Sequence, residues 1–181
     1  MTLLETYKQK VAPELKAKFG YKHDLAVPKM LKVTVNVGVG RMTKDRPFID
    51  MVAEGVTAMT GQKAMLVKAK KSISAFKIRQ GDIVGVTTVL RGQRLYDFVE
   101  KLIKITLPRV RDFRGLSEKI VDQGGNMSIG FKEQSAFAEI KMDQIDRVHG
   151  LEVVITTNAK NHEAGLAMFK LMGFPFKKES L

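Results

Sequence analysis

Residues 31–40, LKVTVNVGVG, alternate with a period of two. Val33, Val35, Val37 and Val39 fall on one side of an extended chain, and Lys32, Thr34, Asn36 and Gly38 on the other. Such a strand needs cover over its valines, while its reverse is polar and free of large groups. A second run, IVGVTTVLRG at 83–92, repeats the pattern, with Val84, Val86, Thr88 and Leu90 opposed to Gly85, Thr87, Val89 and Arg91. Shorter strands are expected near Ala64–Val67, Met127–Phe131 and in LEVVITT at 151–157, and a strand-like stretch around Ile73–Ile78.

The cover comes from helical stripes. Leu4, Tyr7, Val11, Leu15 and Phe19 recur at helical spacing, with Pro13 inside the run and Gly20 as its stop. Phe48, Met51, Val52, Val56 and Met59 form a second stripe, opened by Pro47 and ended by Gly61. Leu95, Phe98, Val99, Leu102, Ile103 and Thr106 form a third, closed by Pro108, and Glu163–Met172 a short fourth. An irregular region from Arg109 to Gly125 carries Arg109, Arg111 and Arg114. The simplest way to bury these stripes is a two-layer α+β domain, with helices on one face of a largely antiparallel sheet. No Ser- or Gly-rich linker or fixed-period repeat divides the chain, so residues 1–181 read as a single domain with long loops.

Charge then narrows the function. Thirty-one Lys and Arg against nineteen Asp and Glu leave a formal charge of +12, which favours a polyanionic partner. The densest contribution is LVKAKKSISAFKIRQGD at 66–82, where Lys68, Lys70, Lys71, Lys77 and Arg79 precede the first acid, Asp82. Ile73, Phe76 and Ile78 lie among them, and Phe76 is expected to point into a core more than to stack on a base. Lysine offers a movable point charge, whereas the forks of Arg79 and Arg91 suit phosphate or a base edge.

Other chemistries lack their residues. There is no cysteine, which excludes disulfides and thiolate metal sites. His23, His149 and His162 lie far apart in sequence, Glu133 and Glu139 have no acid–base context, and Ser135 has no nucleophile signature. GVG at 38–40 lacks the lysine and serine of a phosphate-binding loop. No cofactor is expected. No apolar run reaches the roughly 18 residues of a membrane span, and the N-terminus mixes charges too early for a secretory signal, so a soluble intracellular protein is the expectation. From composition and pattern alone the chain is an RNA-associated protein.

Several passages sharpen this. YKQKVAPELKAKFGY, VPKMLKVTVNVGVG, MTGQKAMLVKAKKSISAFKIRQGD, LRGQRLYDFVEKLI, RDFRGL, GNMSIGFKEQSAFAEI, DRVHGLEVVITTNAK and LMGFPF follow in order. Together they resemble the bacterial large-subunit ribosomal protein number five family over almost the whole chain. The resemblance implies a structural protein of the central protuberance in the cytoplasmic ribosome, not an enzyme. It further implies that the protein binds 5S rRNA, helps link it to the large-subunit rRNA and lies among neighbouring central-protuberance proteins. Carried over by position, the 5S rRNA surface comprises Asn36, Gln62 and Arg91, with Arg41 and Lys63 beside them. The basic loop, with Lys70, Lys71, Ser72, Lys77 and Arg79, is implied to reach the elbow of peptidyl-site tRNA, and the family also bridges to a small-subunit head protein. The chain departs from the family pattern at Val89, where threonine is usual, at Ala138, where proline is usual, and at His149, where arginine is usual. The alternative reading is an RNA-associated ribosome assembly or modification factor, which requires a pocket of converging reactive groups.

Overall fold

The structure is a computed structural model that describes residues 2–140 and 147–177. Five strands form one antiparallel sheet: β1 (Met30–Gly38), β2 (Met65–Lys68), β3 (Ile83–Leu90), β4 (Met127–Phe131) and β5 (Leu151–Thr157), in the spatial order β2-β3-β1-β5-β4. With the helices this is the α+β class read from the sequence. The chain divides into two compact units.

The first unit holds Met1–Val33, Arg91–Ile129 and Val154–Leu181. Its opening rod consists of α1 (Leu3–Thr6), a π-helical turn (Tyr7–Val11) and α2 (Ala12–Phe19). Thr2 and Glu5 start it with a reciprocal capping box, and Gly20, at φ 67°, ends it. The widened turn has a local cause. Pro13 has no N–H to return to the preceding turn, and Ala12 N–H reaches back to the Tyr7 carbonyl instead. One extra residue in a turn rotates everything before it. The buried side chains are therefore Leu3, Val11 and Leu15, whereas Leu4, Tyr7 and Phe19 of the expected stripe are half-buried.

The same device recurs later in this unit. α4 (Gln93–Lys101) passes into a π-helical turn (Leu102–Thr106) and then α5 (Leu107–Arg109), with Leu107 N–H bonded to the Leu102 carbonyl. Pro108 thus lies inside the last turn, and does not close the helix as its position suggested. Leu95, Phe98, Val99, Leu102 and Thr106 are buried as read, joined by Tyr96, while Ile103 is half-buried. α6 (His162–Leu171) begins on Asn161, whose side chain accepts from Ala164 N–H, and presses Gly165 against the backbone of Gly125.

The second unit holds Thr34–Leu90 and Gly130–Val153. Val35, Val37 and Val39 are buried and Asn36 and Gly38 exposed, as the alternation demanded. α3 (Arg46–Thr60) packs on β3 and buries Phe48, Ile49, Val52, Val56 and Met59; Ile49 joins the expected stripe, and Met51 is half-buried at its edge. Asp45 caps its N-terminus and Gly61, at φ 66°, its C-terminus. β2 pairs with β3 in the register Met65↔Thr87, Leu66↔Val86 and Val67↔Gly85, with a bulge before Lys68. The bulge marks the point where the basic segment leaves the sheet.

Candidate nucleic-acid interface

Residues 69–82 form a projecting hairpin arm. At its base Ala69 N–H donates to the Asp82 carbonyl (2.8 Å) and Gly81 N–H to the Ala69 carbonyl (3.0 Å). Ile73 and Ile78 exchange both backbone hydrogen bonds (2.9 and 3.2 Å), so the stretch expected as a strand is a narrow hairpin end with a 3₁₀ turn at Ser74–Phe76. The tip is too short to fold back on a core. Phe76 is accordingly 71% exposed, against the expectation that it would be buried.

Asp82, the segment's acid, is engaged by its own backbone: its carboxylate accepts from Arg79 N–H (2.8 Å). Ser72 Oγ accepts from Gln80 N–H (2.9 Å), which braces the arm and leaves its hydroxyl hydrogen free. Lys70, Lys71, Lys77 and Arg79 are all exposed, and among the described residues none enters an ion pair. An ordered backbone thus carries unneutralised cations. This is the arrangement phosphate contacts require. A groove of about 740 Å³ runs along the arm between Lys44, Ser72, Ser74, Lys77 and Arg79.

Asn36, on the exposed side of β1, and Gln62, just past the end of α3, both lie against β3. Gln62 Nε2 donates to the Val89 carbonyl (3.0 Å), which fixes the amide and leaves its oxygen available as an acceptor. Because the backbone of Val89 does the holding, valine in place of threonine leaves this anchor intact. Asn36 lies across Gly85: a Cβ there would stand 3.8 Å from Asn36 Oδ1 and 3.4 Å from the Val37 carbonyl. Arg41 and Lys63 are exposed in the same unit, whereas Arg91, also exposed, is the first residue past β3 and belongs to the other. The structure adds Met65, Val67 and Thr87 to this face through the β2–β3 register; period-two alternation pointed to Thr87, but pairing alone supplies the other two.

The segment before β5 is held by a buried amide that the sequence did not flag. Gln134 donates to the Arg147 carbonyl (2.9 Å) and accepts from His149 N–H (2.7 Å). Arg147 pairs with Asp45 and lies 5.9 Å from the Phe48 ring centre, with His149 edge-on to the same ring at 6.3 Å. Hydrogen bonding by Phe48 N–H, and then by Arg147, holds the Asp45 carboxyl below its ordinary value. Burial lowers the His149 pKa, so the ring is neutral near pH 7, where an arginine would be charged. Ala138 is exposed on a turn, where loss of proline disturbs no core. Among the described residues no group of three or more His, Asp or Glu side chains converges as a metal site.

Comparison with known proteins decides the family. Residues 23–79 match the family described as ribosomal protein L5, and residues 83–176 match the description of that ribosomal family's C-terminus. The chain belongs to the ribosomal protein L5 family. Large ribosomal subunit protein uL5 of Halothermothrix orenii is 46% identical over 176 residues, 97% of this chain and 98% of that one. Its namesake in Fervidobacterium nodosum is 48% identical over 177 residues, covering 98% and 96%, and that in Colwellia psychrerythraea 45% over 177 residues, covering 98% of each. As an L5 family member the chain is a structural ribosomal protein and not an enzyme.

Proposed function

We propose that this L5 family member binds 5S rRNA within the central protuberance of the large subunit of the cytoplasmic ribosome. Asn36, Arg41, Gln62, Lys63 and Arg91 form the contact surface. Its arm, through Lys70, Lys71, Ser72, Lys77 and Arg79, reaches the elbow of peptidyl-site tRNA. Large-subunit rRNA, neighbouring central-protuberance proteins and a small-subunit head protein complete its surroundings. The observation that carries the reading is the arm itself: exposed cations without acidic partners among the described residues, in a chain that has nineteen acids to offer.

The test is binding to isolated 5S rRNA, with an unrelated folded RNA as control and salt varied. Roughly six to ten phosphate contacts predict a loss of about a thousandfold to a hundred-thousandfold between 50 and 200 mM salt. Replacing Asn36, Gln62 and Arg91 together by alanine weakens binding to 5S rRNA more than binding to the control. Equal affinity of the unaltered chain for both RNAs at every salt concentration rejects specific recognition. The arm is tested in assembled ribosomes, where crosslinks from residues 70–79 to peptidyl-site tRNA are expected.

A further inference from the structure

Beside the arm lies an open cleft of about 1030 Å³, at the upper end of ligand pockets, which span roughly 300–1,000 Å³. The β1–α3 connection, the arm tip and residues 148–150 enclose it. Its apolar surface is laid out around one aromatic floor, Phe48, against which His149 stands edge-on. Phe76, Met42 (40% exposed) and Val148 (63% exposed) present apolar groups to solvent around it. Asp45, the acid in its lining, is neutralised by Arg147, whereas Arg41, Lys44 and Lys77 remain without ion-pair partners among the described residues.

Lys44, Lys77 and Ile78 also line the polar groove along the arm. A track lined by Lys44, Lys77 and Arg79, with Asp82 held by the Arg79 N–H at one end, and an aromatic cleft therefore share one wall. A phosphodiester backbone in the track would place an unstacked base within reach of the cleft. An acidic peptide would satisfy the cations but brings no planar ring with its charges, whereas every nucleotide carries a base beside its phosphate, so the adjacency favours a nucleic acid.

We propose that this cleft receives a single base splayed out of an RNA loop or bulge, stacked on Phe76, while Lys44 and Lys77 hold the flanking phosphates. The inference rests on the RNA-binding reading of the arm and adds to it a base pocket built on Phe76 and Lys44, which that reading does not assign, beside the arm's Lys77. Stacking on an aromatic side chain tolerates any base, so the pocket selects for an unpaired nucleotide and not for a sequence.

The probe is an RNA hairpin carrying one bulged 2-aminopurine, compared with its fully paired counterpart and titrated with the full chain. The bulged hairpin is expected to bind roughly five- to a hundredfold tighter, with quenching of the fluorophore. Phe76→Ala should abolish the preference and the quenching and leave the salt dependence unchanged; since Phe76 is exposed, the variant folds. Lys44→Ala with Lys77→Ala should instead flatten the logarithmic salt dependence by about 1.4, at roughly 0.7 per phosphate. Equal affinity for the two hairpins, in a chain that still prefers 5S rRNA, overturns the base pocket and leaves the RNA reading standing. Quenching unaltered by Phe76→Ala overturns it as well, as does an acidic peptide that occupies the cleft when the bulged hairpin does not.

Discussion

Gly55 and Gly165 both lie inside helices, α3 and α6, yet alanine should move stability in opposite directions at the two positions. On helix propensity alone each replacement gains about 0.8–1 kcal/mol. At Gly55 the new Cβ would meet Ile140 Cδ1 at 3.5 Å and Met59 Cε at 4.0 Å, which are ordinary contacts with the ends of flexible side chains. The full gain should survive and raise the melting temperature by roughly 2–4 °C for a chain of this size. At Gly165 the Cβ would stand 2.5 Å from Gly125 Cα, 2.7 Å from its oxygen and 2.9 Å from its carbonyl carbon. Carbon atoms rest about 3.5–4.0 Å apart, so two backbones must part by about 1 Å or more. The Gly125 carbonyl also accepts the buried Thr157 hydroxyl at 2.9 Å, and that bond is strained by the same movement. Overpacking of this kind costs about 1–3 kcal/mol, with the orphaned hydroxyl adding to it, which outweighs the propensity gain. Urea and thermal unfolding of the single and double variants, followed by circular dichroism, decide the matter. Stabilisation by Gly165→Ala, or shifts of the same sign at both positions, would refute the reasoning.

Three further outcomes are expected. Asn161→Ala should cost about 1 kcal/mol in urea unfolding, because the Ala164 N–H loses its cap, while Asn161→Ser should keep most of it. His149 has a folded pKa below its ordinary 6.5, so the native state binds fewer protons than the unfolded chain. Its contribution is whole above about pH 6.5 and declines as pH falls from there through the folded value, so His149→Gln should flatten the stability profile on the acid side of about pH 6.5. Replacing Lys70, Lys71, Lys77 and Arg79 by alanine should leave the amide-exchange protection of α3 and β3 unchanged, since these side chains are exposed and bear no fold contact.

The strands were legible because their signal is local. Alternation at residues 33–39 dictates which side of β1 is apolar whatever it packs against, and the buried valines and exposed Asn36 follow. Phase within helices was less secure. Pro13 stood inside the expected first stripe and Pro108 read as a stop, but each is preceded by a π-helical turn; the first of these shifts its stripe, so Leu3 is buried where Leu4 was expected. The arm's cations were visible as a charge run, yet the environment of Phe76 was not. An aromatic between lysines looks the same in sequence whether it turns inward or stands at a hairpin tip.

The order of residues by itself determined the period-two sheet, the helical cover, the excess positive charge and the motifs that mark the L5 family. Each of these is a property of neighbours along the chain. Tertiary structure alone decided that Gln62 is held by the Val89 carbonyl and that Gln134 braces the wall containing His149. It also decided that Gly165 has no room where Gly55 does. Those outcomes depend on which atoms, distant in sequence, arrive within a few ångströms of one another, and no local periodicity encodes that distance.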